Sequence, residues 1–115
     1  MILEPKEYVE QIRSVTDALY EKNWKIYSLK NYWVNDSFPY NGVNTKFKNS
    51  RNYRIEIQFH TQESFDVKMS EEDHKLYEQR VLEPGCDEYN RILQLQLKLY
   101  SDMEYPENIA DLEKI

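Results

Sequence analysis

Hydrophobic and polar residues alternate without a break over Tyr53-Arg54-Ile55-Glu56-Ile57-Gln58-Phe59-His60-Thr61. Tyr53, Ile55, Ile57 and Phe59 share one side. Arg54, Glu56, Gln58 and His60 share the other. A period of two in β-branched and aromatic residues predicts a strand with one face on a core. Upstream, Val43, Thr45 and Phe47 alternate with Asn44, Lys46 and Lys48, which predicts a second strand. Asn49-Ser50-Arg51-Asn52 reads as the turn of the hairpin that joins them. Before these lies Trp24 to Val34, rich in aromatic and β-branched residues and read as a strand. Residues 35–42, Asn-Asp-Ser-Phe-Pro-Tyr-Asn-Gly, form a loop by composition.

The period changes to that of helices at both ends of the chain. Tyr8, Ile12, Val15 and Leu19 recur at steps of four, three and four. With Pro5 suited to a first turn and Glu7 and Glu10 at the positive end, this predicts a helix over 5–22. Residues 1–4 read as the tail of a strand. Thr61 caps a short helix through Phe65 and Val67. Ser70 followed by Asp73 has the form of a capping box and opens a helix over 71–82. His74, Tyr77 and Val81 fall on one side of it. Glu83-Pro84-Gly85 breaks that helix. The longest helix spans 87–103, with Ile92, Leu95, Leu99 and Met103 as its main stripe against the sheet, and Tyr89, Leu93 and Tyr100 beside it. After Pro106 the expectation is a short final turn or a frayed tail. The order α-β-β-β-α-α-α predicts an α+β fold, a small antiparallel sheet with helices packed on one face.

Composition bounds what such a fold can do. The chain has 115 residues and a mass of 14.0 kDa, which is one domain. Ten tyrosines, against four Phe and two Trp, give much of the apolar area a polar tip. A net charge of −6 speaks against direct nucleic-acid binding and against an anionic membrane surface. It leaves room for a local basic patch or a basic protein partner. No apolar run reaches the length of a membrane span, and residues 1–20 lack the pattern of a signal peptide. The single Cys86 excludes an internal disulfide. The expected compartment is the cytoplasm.

Candidate chemistry centres on the polar side of the alternating strand. A carboxylate, an amide and an imidazole stand there about 7 Å apart in sequence. Asn44 and Lys46 stand across the hairpin. A carboxylate on a rigid strand can hold Mg²⁺ or take a proton from a hydroxyl. A nearby lysine can meet phosphate, and Tyr40 can stack on a base. The plain alternative is a solvated strand face with Tyr40 packed in a loop. Two histidines are too few for a zinc site, and there is no glycine-rich phosphate loop.

Glu56-Ile57-Gln58-Phe59-His60-Thr61 resembles the Glu-x-Gln-x-(Arg/His)-Thr signature of RelA/SpoT-like pyrophosphotransferases, a nucleotidyltransferase-type family. The chain is most similar to such domains in phage head-morphogenesis proteins and polymorphic toxins. The resemblance extends to Tyr40-Asn41-Gly42-Val43-Asn44, Glu63-Ser64-Phe65 and His74-Lys75-Leu76-Tyr77-Glu78, and covers about residues 5–82. It implies that Glu56 is the catalytic carboxylate, binding metal or activating an acceptor hydroxyl. It implies a nucleotide site formed by Tyr40, Asn44, Lys46, Gln58, His60, His74 and Tyr77, with Tyr40 stacked on the base. The family's metal-binding Asp lies on a strand before the first helix. Here that strand is ending at Met1-Ile2-Leu3-Glu4, and no Asp precedes Asp17. The expectation is therefore a single domain over 1–115, truncated at its N-terminus and catalytically incomplete. It would bind a nucleotide or a host protein, as a phage-type inhibitor or anti-defence factor. The alternative is the catalytic part of a Mg²⁺-dependent pyrophosphotransferase toxin whose first strand is missing.

Overall fold

The computed structural model describes residues 1–34, 39–82 and 87–112. Helix α1 runs over Tyr8–Glu21 and buries Tyr8, Val9, Ile12 and Thr16. Pro5 to Glu7 form a turn ahead of it rather than its first helical turn. The helix closes as Lys22 donates to the Leu19 carbonyl at 3.0 Å, and Asn23 takes a left-handed φ of 68°, a conformation asparagine tolerates. Strand β1 follows over Lys25–Asn31, shorter than the sequence suggests because Tyr32–Val34 wind into a 3-10 turn. That turn buries Trp33.

Strands β2, Val43–Lys48, and β3, Arg54–Phe59, form the hairpin. Asn49 builds its turn. The Asn49 Oδ1 accepts from the Arg51 and Tyr53 amides at 3.0 and 2.9 Å, the local bonding that favours asparagine in turns. The antiparallel sheet has the order β1-β2-β3. Lys46 stands opposite Glu56, and Asn44 opposite Gln58. A bulge between Ile26 and Ser28 interrupts the β1–β2 register. Beyond β3, Ile2 bridges His60 in parallel.

Helix α2, Gln62–Lys68, is capped by Thr61 and Ser64 in a reciprocal capping box. Helix α3 spans Glu71–Leu82, its first turn held by the Ser70 hydroxyl, which accepts from the Asp73 amide at 3.2 Å. Helix α4 spans Asp87–Ser101. The expected break at Glu83-Pro84-Gly85, the loop over 35–38, Cys86 and residues 113–115 lie outside the described residues, as does the side chain of Val81. The fold is thus α+β, with the order expected from the sequence.

Two packing expectations fail. The long helix was expected to press Leu95 onto the sheet, but Leu95 is 42 % exposed while Ile92, Gln96 and Tyr100 are buried. Helix α4 packs mainly on α3, and only its C-terminal end, through Tyr100, joins the core, together with Met103 just beyond it. The apolar side of β3 is also not uniformly covered. Phe59 is fully buried, Ile57 half-buried, Ile55 exposed and Tyr53 63 % exposed. The core lies at the Phe59 end, with Tyr8, Ile12, Trp33 and Val43. Residues 107–112 are a docked turn rather than a frayed tail. Ile109 and Leu112 are buried, and the Asn31 amide donates to the Ile109 carbonyl at 2.8 Å.

The contrast gives a direct test by urea unfolding. Ile12→Ala empties a fully enclosed site and should cost about 2–5 kcal/mol. Leu95→Ala should cost about 1 kcal/mol or less, because much of that side chain already meets water.

Candidate functional site

Two features place the candidate residues. The first is the end of β3, where Phe59 enters the core and takes His60 with it. His60 is 2 % exposed, so it belongs to the interior rather than to an open polar face. Its Nε2 lies 2.9 Å from the Tyr40 hydroxyl and its Nδ1 3.0 Å from Ser64 Oγ. Both hydroxyls can donate or accept, so the neutral ring is satisfied in either tautomer. Burial, followed by the positive charges of Lys68 and the Met1 ammonium, lowers the His60 pKa from 6.5 to about 4.

The second feature is the close approach that Gly42 permits. A Cβ on Gly42 would stand 3.0 Å from the Tyr40 ring and 3.1 Å from His60 Cε1. The missing side chain lets Tyr40 fold back over the strand start onto His60. There the Tyr40 hydroxyl also meets Asn44 Oδ1 at 3.0 Å. Burial first, partly offset by Asn44, raises the Tyr40 pKa to about 12, so it is a neutral hydrogen-bonding group at ordinary pH.

From this knot the polar chain runs outward. Lys68 donates to Gln58 Oε1 at 2.6 Å, and Gln58 Nε2 donates to Glu56 Oε1 at 3.2 Å. Glu56 and Lys46 are both exposed and stand farther toward the hairpin tip. The structure therefore joins Tyr40, Asn44, Gln58 and His60 directly, and leaves Glu56 and Lys46 on the solvent side of that group.

Tyr40 also forms one wall of a cavity of about 310 Å³. Tyr77 and His74 from α3, Lys68 and Met69 from the end of α2, and Tyr100 from α4 complete most of its lining. The sequence reading brings Tyr40, His74 and Tyr77 to this place but misses Lys68, Asp73, Gln96 and Tyr100. Asp73 reads as a helix-start acid and Tyr100 as packing. In fact Asp73 is buried, accepting from Gln96 Nε2 at 2.9 Å and from the Tyr100 hydroxyl at 3.3 Å. Burial, reinforced by the Asp73 charge, raises the Tyr100 pKa. The Asp73 carboxylate fixes the Gln96 amide with its nitrogen inward to the acid, which leaves Oε1 buried without a partner. The available signal was Gln96 itself, four residues after Ile92 and four before Tyr100. Two hollows of about 470 and 520 Å³ lie elsewhere, walled by residues such as Glu10, Arg13 and Asp111, or Glu4, Gln62 and Glu104. They are lined mainly by polar and charged side chains and lack the aromatic walls that mark a small-molecule site.

The resemblance to pyrophosphotransferases implies Mg²⁺, and the residues present do not make up its site. Glu56 is a lone exposed carboxylate bonded to Gln58. Among the described residues no three of His, Cys, Asp and Glu converge to hold an ion.

Two predictions follow from this geometry. The His60 ring should titrate near pH 4 when followed by NMR. Because the folded state resists the proton that the unfolded chain accepts below about pH 6.5, stability is full above that pH and falls as pH drops toward 4. The loss should reach about 2–3 kcal/mol, read from denaturant unfolding at both pH values. Glu56→Ala, by contrast, removes an exposed group and should change stability by less than about 1 kcal/mol in a thermal melt.

No protein-family model matches the sequence, and no curated protein does. Among solved structures, the chain is similar to one in the crystal structure of the complex between the type VI effector Tas1 and its immunity protein. That similarity has a TM-score of 0.55 at 21 % identity, over 80 % of this chain and 59 % of the other. This chain thus spans less than two thirds of its structural neighbour, and the likeness is one of fold. Among the described residues no helix is long and apolar enough to cross a membrane.

Proposed function

We propose that this chain is a RelA/SpoT-like domain that binds a nucleotide without completing pyrophosphate transfer. The observation that carries this reading is the aromatic-walled cavity at the end of the signature strand. Tyr40, Tyr77 and Tyr100 give it faces and edges on which a base can rest, and base stacking on aromatics is tolerant of sequence. Gln96 also lines that wall, with its Oε1 buried and without a partner among the described residues. Lys68 at the rim uses one of its three donors on Gln58, so it retains hydrogen-bonding capacity for a phosphate. His60 has a different role from the one the signature suggests. It is the neutral buried post that sets the position of Tyr40.

The incomplete set of metal ligands supports binding over chemistry. Phosphoryl transfer relies on positioned cations to stabilise charge that develops on the phosphate. Glu56 alone, projecting into solvent, does not organise them. The fold's likeness to a chain from an effector–immunity complex supports a toxin-related setting for this domain, and with it the readings in which it inhibits or counters a host system.

Calorimetric titration with ATP, GDP and GTP tests the binding site. At least one should bind saturably, and Tyr77→Ala should weaken it about tenfold, the loss of one stacking contact. Absence of binding by all three up to millimolar concentration would remove the nucleotide from the proposal. Incubation of the same nucleotides with Mg²⁺ should give no pyrophosphorylated product. Product above a Glu56→Gln control would instead make the chain an enzyme.

A further inference from the structure

The solvent side of the sheet carries charge of mostly one sign. Residues opposite one another on neighbouring strands share a side. Val43, Thr45 and Phe47 turn inward and are fully buried, with Val43 in one core with Tyr8 and Ile12 of α1. Asn44, Lys46 and Lys48 therefore turn outward. On β1, Lys30 stands opposite Asn44, Ser28 opposite Lys46 and Lys25 opposite Lys48. On β3, Gln58, Glu56 and Arg54 stand opposite the same three. Lys25, Lys30, Lys46, Lys48 and Arg54 are all exposed. Across the three strands, this side holds five of the chain's 15 Lys and Arg but only Glu56 of its 21 Asp and Glu.

One row on this side opposes folding. Lys25, Lys48 and Arg54 stand side by side across all three strands, and like charges directly opposite one another are destabilising. Tyr27, in the bulge between Ile26 and Ser28, offsets part of that cost. Its exposed ring lies on the same side, with Lys48 Nζ 5.9 Å and the Arg54 guanidinium carbon 5.5 Å from the centroid. The ring holds the two charges at the surface without neutralising them. The segment Met1 to Leu3 runs beside β3, as a continuation of the sheet and not across this face.

Shape and charge define an occupant. Three strands make a strip about 10 Å wide between the outer two. That is the width of one α-helix, and sheets bury their faces against helices. A helix with carboxylates at steps of four and three sets them about 5–6 Å apart along one stripe, close to the strand spacing of the cation row. A nucleic acid fits less well. It uses aromatic faces on which bases stack, and the Tyr27 ring is engaged by Lys48 and Arg54. A long polyanion would also meet the acidic remainder of a chain whose net charge is −6. We propose that the outer face of the sheet docks an acidic helix of a partner protein, whose carboxylates meet Lys25, Lys46, Lys48 and Arg54. The cation row lies at the hairpin end of β3, opposite the end that carries His60, and the docking does not depend on nucleotide binding.

The probe is a fluorescent, hydrocarbon-stapled alanine-based helix of about 15 residues, with Glu at steps of four and three along one side. Anisotropy against the full chain should show saturable binding that weakens as salt is raised. NMR shifts should concentrate at Lys25, Lys46, Lys48, Arg54 and the Tyr27 ring. Lys48→Glu should weaken binding about tenfold, as attraction to several carboxylates becomes repulsion. Because it breaks up the cation row, it should hold or raise the unfolding midpoint, and it should leave nucleotide titrations as in the parent. Arg13→Glu, on α1, should leave affinity for the helix within about twofold of the parent. No saturation up to millimolar concentration, or equal binding by a stapled helix with the same Glu content spread over all its sides, would overturn the proposal. Equal loss in Arg13→Glu, or a lowered unfolding midpoint in Lys48→Glu, would do the same. Tighter binding of single-stranded oligothymidylate would assign the face to nucleic acid, and a dimer in sedimentation analysis that shifts the same residues would assign it to a second copy; either result overturns the partner helix.

Discussion

The hydroxyl of Tyr8 is the point on which the fold turns. A buried tyrosine oxygen must be paired to be tolerated, and this one is paired twice. It donates to the Phe59 carbonyl and accepts from the Trp33 indole at 3.0 Å. Helix α1, the turn after β1 and the end of β3 are thereby fixed to one another inside the core. Burial raises the Tyr8 pKa further beyond its already high ordinary value, so the hydroxyl keeps its proton. Phe59 precedes His60, so the same bond sets where the imidazole enters the interior. Tyr40, Asn44 and Ser64 then arrange themselves around that imidazole.

Asparagines extend this fixation to the chain's irregular parts. Asn41 donates to the Tyr100 carbonyl at 2.6 Å, which joins the loop before β2 to the end of α4. Asn31 holds the final turn through the Ile109 carbonyl. Asn41 satisfies a carbonyl at the end of α4, where an unpaired buried group costs about 1–3 kcal/mol, and Asn31 adds a second donor to the Ile109 carbonyl, which also accepts from the Leu112 amide at 3.3 Å. The cavity therefore has a wall from α4 and a wall from the β2 approach held in one frame. Gln96 Oε1 is the exception in a region otherwise well paired.

How much of this the sequence carries depends on the kind of information involved. Alternation in Val43 to Lys48 and Arg54 to Phe59 gives the hairpin, because side-chain period follows from strand geometry. Thr61 and Ser70 mark helix starts because a hydroxyl at that position meets a free amide. Period does not report how far a core extends along a strand. Ile55 and Phe59 are equivalent by alternation, yet one is exposed and the other enclosed, since only the Phe59 end meets α1 and the terminal turn. Helix α4 has apolar residues on several sides, at 92, 93, 95, 97 and 99. Its buried side is fixed by a partner on another helix, Asp73, whose contact with Gln96 and Tyr100 joins residues 23 and 27 positions apart. For the site, Tyr40, His74 and Tyr77 were legible through the resemblance. Lys68 and Gln96 were not, because their roles arise from packing between helices.

The same network that orders the site limits its chemistry. A general base or acid needs a proton that moves and a partner atom in the substrate. His60 has both nitrogens engaged by protein hydroxyls, and burial holds it neutral. Tyr40, with its pKa near 12, is equally fixed. Gln58 is held between Lys68 and Glu56. These groups satisfy one another and form a rigid polar floor beneath an aromatic cavity. Such a floor is already arranged by the protein's own hydrogen bonds, which is the preorganisation that the proposed nucleotide site would use. The residue of the signature that stays at the surface is Glu56, which stands outside the cavity opposite Lys46 and accepts from Gln58. Rigidity at His60 and openness at Glu56 thus lie four residues apart on one strand.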